Sequence, residues 1–205
     1  MISSNVVALV MAAGYSRRFG QRDKRCASLA NGCSLLATSV AHAKQAFPVL
    51  RVAIREEDDT TLLGLPESTP LIRLRQAHQG LGSSLAEAVE ALSNDSCLNS
   101  VAAVAILLGD MPCLQQDTLL TLQQLATHDT IVRPCYAGKQ GHPVIFGRTL
   151  WPAFASLSGN SGAQELIRRH PSHYRMYDVQ DAGTLIDIDT PEEIACVNNR
   201  SIEQA

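Results

Sequence analysis

Aromatic residues are scarce in this chain, 4% of 205 residues with a single Trp. That leaves too few rings for the stacking platforms that hold single-stranded nucleic acid. Excess positive charge is missing too: 17 Lys and Arg against 20 Asp and Glu give a formal net charge of −3. No long segment is strongly basic, so neither a general nucleic-acid binder nor a protein held on anionic lipid is expected. The six cysteines, at 26, 33, 97, 113, 135 and 196, form no CxxC pair and no zinc-finger spacing. Long apolar runs are absent as well. The run Val6 to Ala13 is too short to span a membrane and has no basic segment before it, so it reads as a strand and not as a signal peptide. The expected location is cytoplasmic, with reduced thiols. Two nucleotide signatures, G-x-x-x-x-G-K-[ST] and G-x-G-x-x-G, do not occur either.

What is present suits a small-molecule protein with one core. A chain of this length buries roughly 70% of its unfolded surface, and 45% hydrophobic with 18% charged residues is the balance of a folded domain. One domain over residues 1–205 is expected. Continuous apolar runs at Val6–Met11 and Val101–Leu108 read as strands buried on both faces of a parallel sheet. Further strands are expected at Leu50–Ile54, Leu71–Leu74, Thr130–Arg133, Pro143–Phe146, Tyr174–Val179 and Leu185–Ile186. Helices are expected at Ser34–Gln45, Glu56–Leu63, from Gly80 to Leu92, Asp117–Leu125, from Ser161, and from Thr190-Pro191-Glu192-Glu193. Alternating strands and helices predict a three-layer, Rossmann-like α/β fold with a mostly parallel central sheet. Ligands of such sheets bind beyond the carboxyl ends of the strands. The loops after Met11 and Leu108 are therefore where chemistry is sought.

The first loop holds Ala12, Ala13 and Gly14, small enough for a phosphate to approach the backbone, followed by Ser16, Arg17, Arg18 and Lys24. A plain solvated turn is the competing reading. The second, Gly109-Asp110-Met111-Pro112, sets a carboxylate beyond the central strand. Such a group holds a cation, or caps the helix that follows. Asp187 and Asp189 alternate in a short extended stretch, so either could join Asp110 on a metal, or cap the last helix. Gly80, Gly82 and Ser83 place small residues and a hydroxyl at a helix start, suited to an anion or a simple cap. Gly141-His142-Pro143 sets a His before a strand, where a surface His is the plainer reading.

Together these segments resemble the nucleotidyltransferases that act on the molybdenum cofactor. Met11 to Gly20 with Lys24 is similar to that family's L-A-[AG]-G-x-S-x-R-[MF]-G-x-x-K signature, and the other motifs follow in its order from residue 6 to about residue 197. The nearest branch is the cytidylyltransferases. The resemblance implies CTP and molybdopterin as partners, Mg²⁺ or Mn²⁺ as cofactor, and a recipient molybdoenzyme of the xanthine dehydrogenase type. It implies a monomer or weak dimer. Arg18, Lys24 and Asp110 would be catalytic, and Ala12, Ala13, Gly14, Ser16, Arg17, Lys24, Gly80, Gly82 and Ser83 would contact the nucleotide. Asp110 with Asp187 or Asp189 would hold metal, and Gly141, His142 and Pro143 would meet the pterin. The chain departs from the signature in three places: Met11 replaces Leu, the spacing to Lys24 is one residue longer, and Arg25-Cys26-Ala27 replaces an apolar pair. Arg25 could thus share the phosphate role. A guanylyltransferase, a sugar-phosphate nucleotidyltransferase and a non-catalytic pterin delivery chaperone are the alternatives.

Overall fold

The computed structural model describes residues 5–16, 19, 20 and 22–203, with backbone alone for residues 196 and 199–203. Its strands are β1 (Val6–Met11), β2 (Leu50–Arg55), β3 (Leu71–Leu74), β4 (Ala103–Leu108), β5 (Ile131–Tyr136), β6 (Lys139–Gln140), β7 (Val144–Gly147) and β8 (Tyr174–Asp178). They form one sheet in the order β3-β2-β1-β4-β7-β5, with β6 and β8 both on β5. β1 to β4 run parallel, and β7 is antiparallel to both β4 and β5. β5 and β8 therefore share the direction of β1, and the sheet is mostly parallel as expected.

The β1 run Val6–Met11 is buried along its whole length because both faces of the sheet are covered. Val7, Leu9 and Met11 face one core with Leu85, Ala88, Val89 and Leu92 of α2 (Leu81–Asn94). Val6, Ala8 and Val10 face the other with Leu36, Val40 and Ala43 of α1 (Leu35–Ala46) and Leu119 and Leu122 of α3 (Gln116–Leu125). The α2 apolar residues recur at helical spacing, which is the stripe that seats it. α1 starts where Ser34 accepts a hydrogen bond from the Ala37 amide at 3.0 Å. Helices α4 (Gln164–Arg169) and α5 (Pro191–Glu203) complete the described chain. No helix among the described residues is long and apolar enough to cross a membrane.

Two expected elements are replaced by turns, for one physical reason. The segment 56–63 is not a helix: Asp58 accepts from the Arg55 amide (2.8 Å) and Asp59 from the Thr61 amide (2.8 Å). Such short side-chain bonds compete with helical ones. Leu185–Ile186 is not a strand, because buried Asp181 accepts from the Gly183 amide (2.8 Å) and starts a 3-10 turn over Ala182–Leu185.

β1 has β2 on one side and β4 on the other, so the chain leaves it in opposite directions across the sheet. The crevice of an open α/β sheet lies at that switch, beyond the carboxyl ends of β1 and β4.

Candidate active site

At that switch lies a cavity of about 550 Å³, lined by Met11 to Ser16, Lys24, Asp110 and Asp189, with Gln79 to Leu81 and Asn160 opposite. The sheet ladder continues briefly into its floor: Ala12 N–H donates to the Ala53 carbonyl (2.8 Å) and Gly109 N–H to the Met11 carbonyl (2.9 Å). Beyond this, the amides of Ala13, Gly14 and Tyr15 donate to no other described residue. A Cβ on Gly14 would meet no atom within 4 Å. Ser16 adds a positive φ of 50° and a buried hydroxyl without a partner among the described residues. Several open donors on one short loop are an anion-binding floor. Arg17 and Arg18 lie outside the described residues.

Lys24 opens a 3-10 turn, Lys24–Cys26, and its ammonium enters the cavity from the side. It donates to Asp110 Oδ2 at 2.6 Å, Asp189 Oδ1 at 2.8 Å and the Ile188 carbonyl at 2.9 Å. Burial pulls its pKa down, but Asp110 and then Asp189 outweigh that and hold it above the ordinary lysine value. The ammonium is therefore charged at neutral pH. The second Asp110 oxygen, Oδ1, is buried and has no hydrogen-bond partner among the described residues. A buried bare carboxylate oxygen is costly unless a cation or donor meets it. Asp189, 165 residues from Lys24 in sequence, reaches the site because Ile188 N–H bonds the Asp110 carbonyl at 3.0 Å.

Asp189, and not Asp187, thus joins Asp110. Asp187 is exposed and does not line the cavity. Gly82 and Ser83 do not line it either. The N-terminus of α2 is taken by the segment 158–161: Gly82 N–H donates to the Gly159 carbonyl (2.8 Å), and the Ser83 hydroxyl accepts from Gly159 N–H (3.2 Å). A Cβ on Gly82 would come within 2.5 Å of the Ser161 carbonyl oxygen. The glycine is needed for that packing. Gly80, with φ +112°, does border the cavity, and Ser84 with it.

Gly141, His142 and Pro143 lie at the start of β7, off the cavity wall. His142 N–H bonds the Thr184 carbonyl (2.8 Å), and Arg133 Nε bonds the Gly141 carbonyl (2.9 Å). Arg133 also reaches Gln140 (2.9 Å) and Gln164 (2.6 Å). Burial, and then the Arg133 charge, push the His142 imidazole down to about 4. A His whose folded pKa lies below its unfolded value contributes stability above the unfolded pKa, near 6.5, and loses it as pH falls toward 4. The shift corresponds to about 3 kcal/mol. Urea unfolding of the native chain and of His142→Gln from pH 7 to 4 is expected to show the steeper acid loss in the native chain. Equal pH slopes would refute the neutral, buried His.

One functional cluster was not foreseen from the sequence. Arg25 is buried, at 5% exposure, against Asp58 at 7%, with Asp23 and Arg55 completing a four-membered charge network. Arg55 also lies over the Tyr15 ring at 4.8 Å. Arg25 is thus paired with carboxylates and is not a phosphate ligand. The only sequence signal was its charge at a position where an apolar residue is usual.

The family model for the MobA-like NTP transferase domain matches residues 8–174. The purine catabolism protein PucB of Bacillus subtilis is 29% identical over 204 residues, covering 94% of this chain and 96% of that protein. Among solved structures, the homologue of Mycobacterium tuberculosis Rv0371c from Mycobacterium sp. strain JC1 superposes with a TM-score of 0.83 at 27% identity, over 98% of this chain and 99% of that one. Rv0371c itself, in complex with manganese, gives 0.75 at 23% identity, over 95% and 98%. The matched residues run from β1 to the first residue of β8 and include every cavity-lining group named above except Asp189. On that match the chain belongs to the MobA-like NTP transferase family and is a nucleotidyltransferase.

Proposed function

We propose that the chain transfers CMP from CTP to the terminal phosphate of the molybdenum-bound pterin, forming molybdopterin cytosine dinucleotide and pyrophosphate. One observation carries the reaction type: a floor of open backbone amides beside a lysine and a buried, unpartnered carboxylate oxygen. Amides and ammonium suit the phosphates of a nucleotide, and the bare Asp110 oxygen suits a divalent cation. An acceptor phosphate oxygen attacks the α-phosphorus, and the α–β bridging P–O bond breaks, its electrons leaving on pyrophosphate. A phosphate nucleophile is already ionised at neutral pH, so no general base is needed.

In this reading Ala12 to Gly14 hold the nucleotide and Lys24 and Arg18 neutralise its phosphates. The residues fit a divalent cation: Asp110 and Asp189 would hold it, and when bound it would offset the charge that builds on the phosphoryl oxygens. Mg²⁺ is the expected ion, with Mn²⁺ as the alternative that the manganese complex of the mycobacterial neighbour supports. Gly141, His142 and Pro143 lie off the cavity wall with Arg133 beside them, so in this reading they would meet only a part of the pterin that extends beyond the nucleotide cavity. A relative with a role in purine catabolism supports a recipient of the xanthine dehydrogenase type.

The preference for CTP is assigned to Ala13, which is 5% exposed on the cavity wall. The guanylyl branch commonly carries Gly-Gly where this chain has Ala13-Gly14. Its methyl takes space that a larger purine would use. Shape exclusion of this kind is worth about 10- to 200-fold. Pyrophosphate release with the molybdenum-bound pterin is expected to favour CTP over GTP, and Ala13→Gly to narrow the ratio. No pyrophosphate from any nucleotide with this acceptor would overturn the pterin reading. A ratio unchanged in Ala13→Gly would remove Ala13 as selector.

A further inference from the structure

Next to Lys24 in sequence, Arg25 also borders the cavity and bonds the same loop. All five N–H groups of its guanidinium are used. Nε donates to Asp23 (2.9 Å), Nη1 to Asp58 (2.6 Å) and the Ala12 carbonyl (2.6 Å), and Nη2 to Asp23 (2.6 Å) and Asp58 (2.7 Å). No donor is left for a ligand.

The bond to Ala12 has a consequence for the next residue. The Ala12–Ala13 peptide is trans, so the Ala12 carbonyl and the Ala13 N–H point in opposite directions. The Met11 carbonyl faces β4, where it accepts from Gly109, and Ala12 N–H faces β2, where it donates to Ala53. Arg25 draws the Ala12 carbonyl to the β2 side, since Asp58 lies just past the end of β2. The Ala13 N–H is then turned toward the β4 side, where Gly109 and Asp110 border the cavity.

We propose that Arg25 is a positioning residue: by holding the Ala12 carbonyl it aims the Ala13 amide at the nucleotide phosphates, without touching them. Its two carboxylate partners cancel its charge, so it does not compete with Lys24 for those phosphates. An apolar residue at this position could not hold that carbonyl. The inference rests on the nucleotide reading of the cavity.

The test follows the Ala13 backbone amide by ¹⁵N NMR while the protein is titrated with each of the four NTPs and Mg²⁺. In the native chain the preferred nucleotide is expected to move the Ala13 resonance strongly. In Arg25→Lys, whose three donors sit on one nitrogen and cannot span the carboxylates and the carbonyl that the planar five-donor guanidinium reaches together, that response is expected to be lost. The Gly109 amide, which bonds Met11, should behave as in the native chain. Nucleotide affinity should fall about tenfold, the scale of one misaligned hydrogen bond. If Arg25→Lys does not fold, Arg25→Met with Asp58→Asn removes one charge of each sign and leaves Arg55 to pair with Asp23 at 2.6 Å, and it is expected to lose the same response. A folded variant with native Ala13 response and affinity overturns the positioning role alone. A native chain in which no nucleotide moves Ala13 overturns the nucleotide reading as well.

Discussion

Asp110→Asn is expected to abolish most pyrophosphate release while the protein stays folded. The side chains have nearly the same shape, the Asp110 carbonyl still accepts from Ile188, and Lys24 keeps Asp189 and the Ile188 carbonyl. What is lost is the negative charge of a carboxylate that lines the cavity and has one buried, bare oxygen. Removal of a preorganised charged group that stabilises a phosphoryl transition state costs about 10²-fold or more in rate. The check is turnover of the variant alongside its thermal unfolding. Near-native turnover by a folded Asp110→Asn protein would remove Asp110 from the machinery and, with it, the assignment of a cation to this carboxylate.

Lys24→Ala is expected to act on both catalysis and stability. Its ammonium is the shared counter-charge of Asp110 and Asp189, at 2.6 and 2.8 Å. Without it two partly buried carboxylates face each other, an arrangement that disfavours the ionised pair. Nucleotide transfer should fall about 10²-fold or more, through the lost positive charge beside the phosphates. The melting temperature without metal should fall as well. Added Mg²⁺ or Mn²⁺ should then raise the melting temperature of Lys24→Ala more than that of the native chain, because a cation can take the vacated place between the two carboxylates. Equal metal-induced shifts in the two proteins would show that Asp110 and Asp189 do not act together on a cation. The expectations for Lys24 and Arg25 also separate. Alanine at Arg25 leaves Asp58 buried beside Asp23, so its damage appears first as lost stability.

The Val6–Met11 and Val101–Leu108 runs pointed to the sheet centre because a strand covered on both faces must be apolar throughout, a property that composition alone reveals. The two loops that follow these strands were legible for the same reason: small residues with basic ones after β1, and a lone Asp after β4, stand out against an apolar background. Local turn chemistry was harder to read. Asp58 and Asp181 end or replace regular elements through bonds of a few residues' reach, and the surrounding apolar pattern does not register them. The α2 start shows the same limit. Gly80 to Ser84 has the composition of an anion site, yet at Gly82 and Ser83 it receives the chain at Gly159.

The sequence alone determined the architecture and the end of the sheet at which the cavity lies, because both follow from periodicity and from small or charged residues at strand ends. Pairings across the chain were left to the tertiary structure. Asp189 and not Asp187 stands with Asp110 because Ile188 is buried and tied to the Asp110 carbonyl, 78 positions away in sequence. Arg25 became a buttress and not a phosphate ligand because the turn after β2 brings Asp58 to it across 33 positions. Residue types state which charges need partners. Only the folded chain, by fixing distances between segments remote in sequence, decides which partner each one meets.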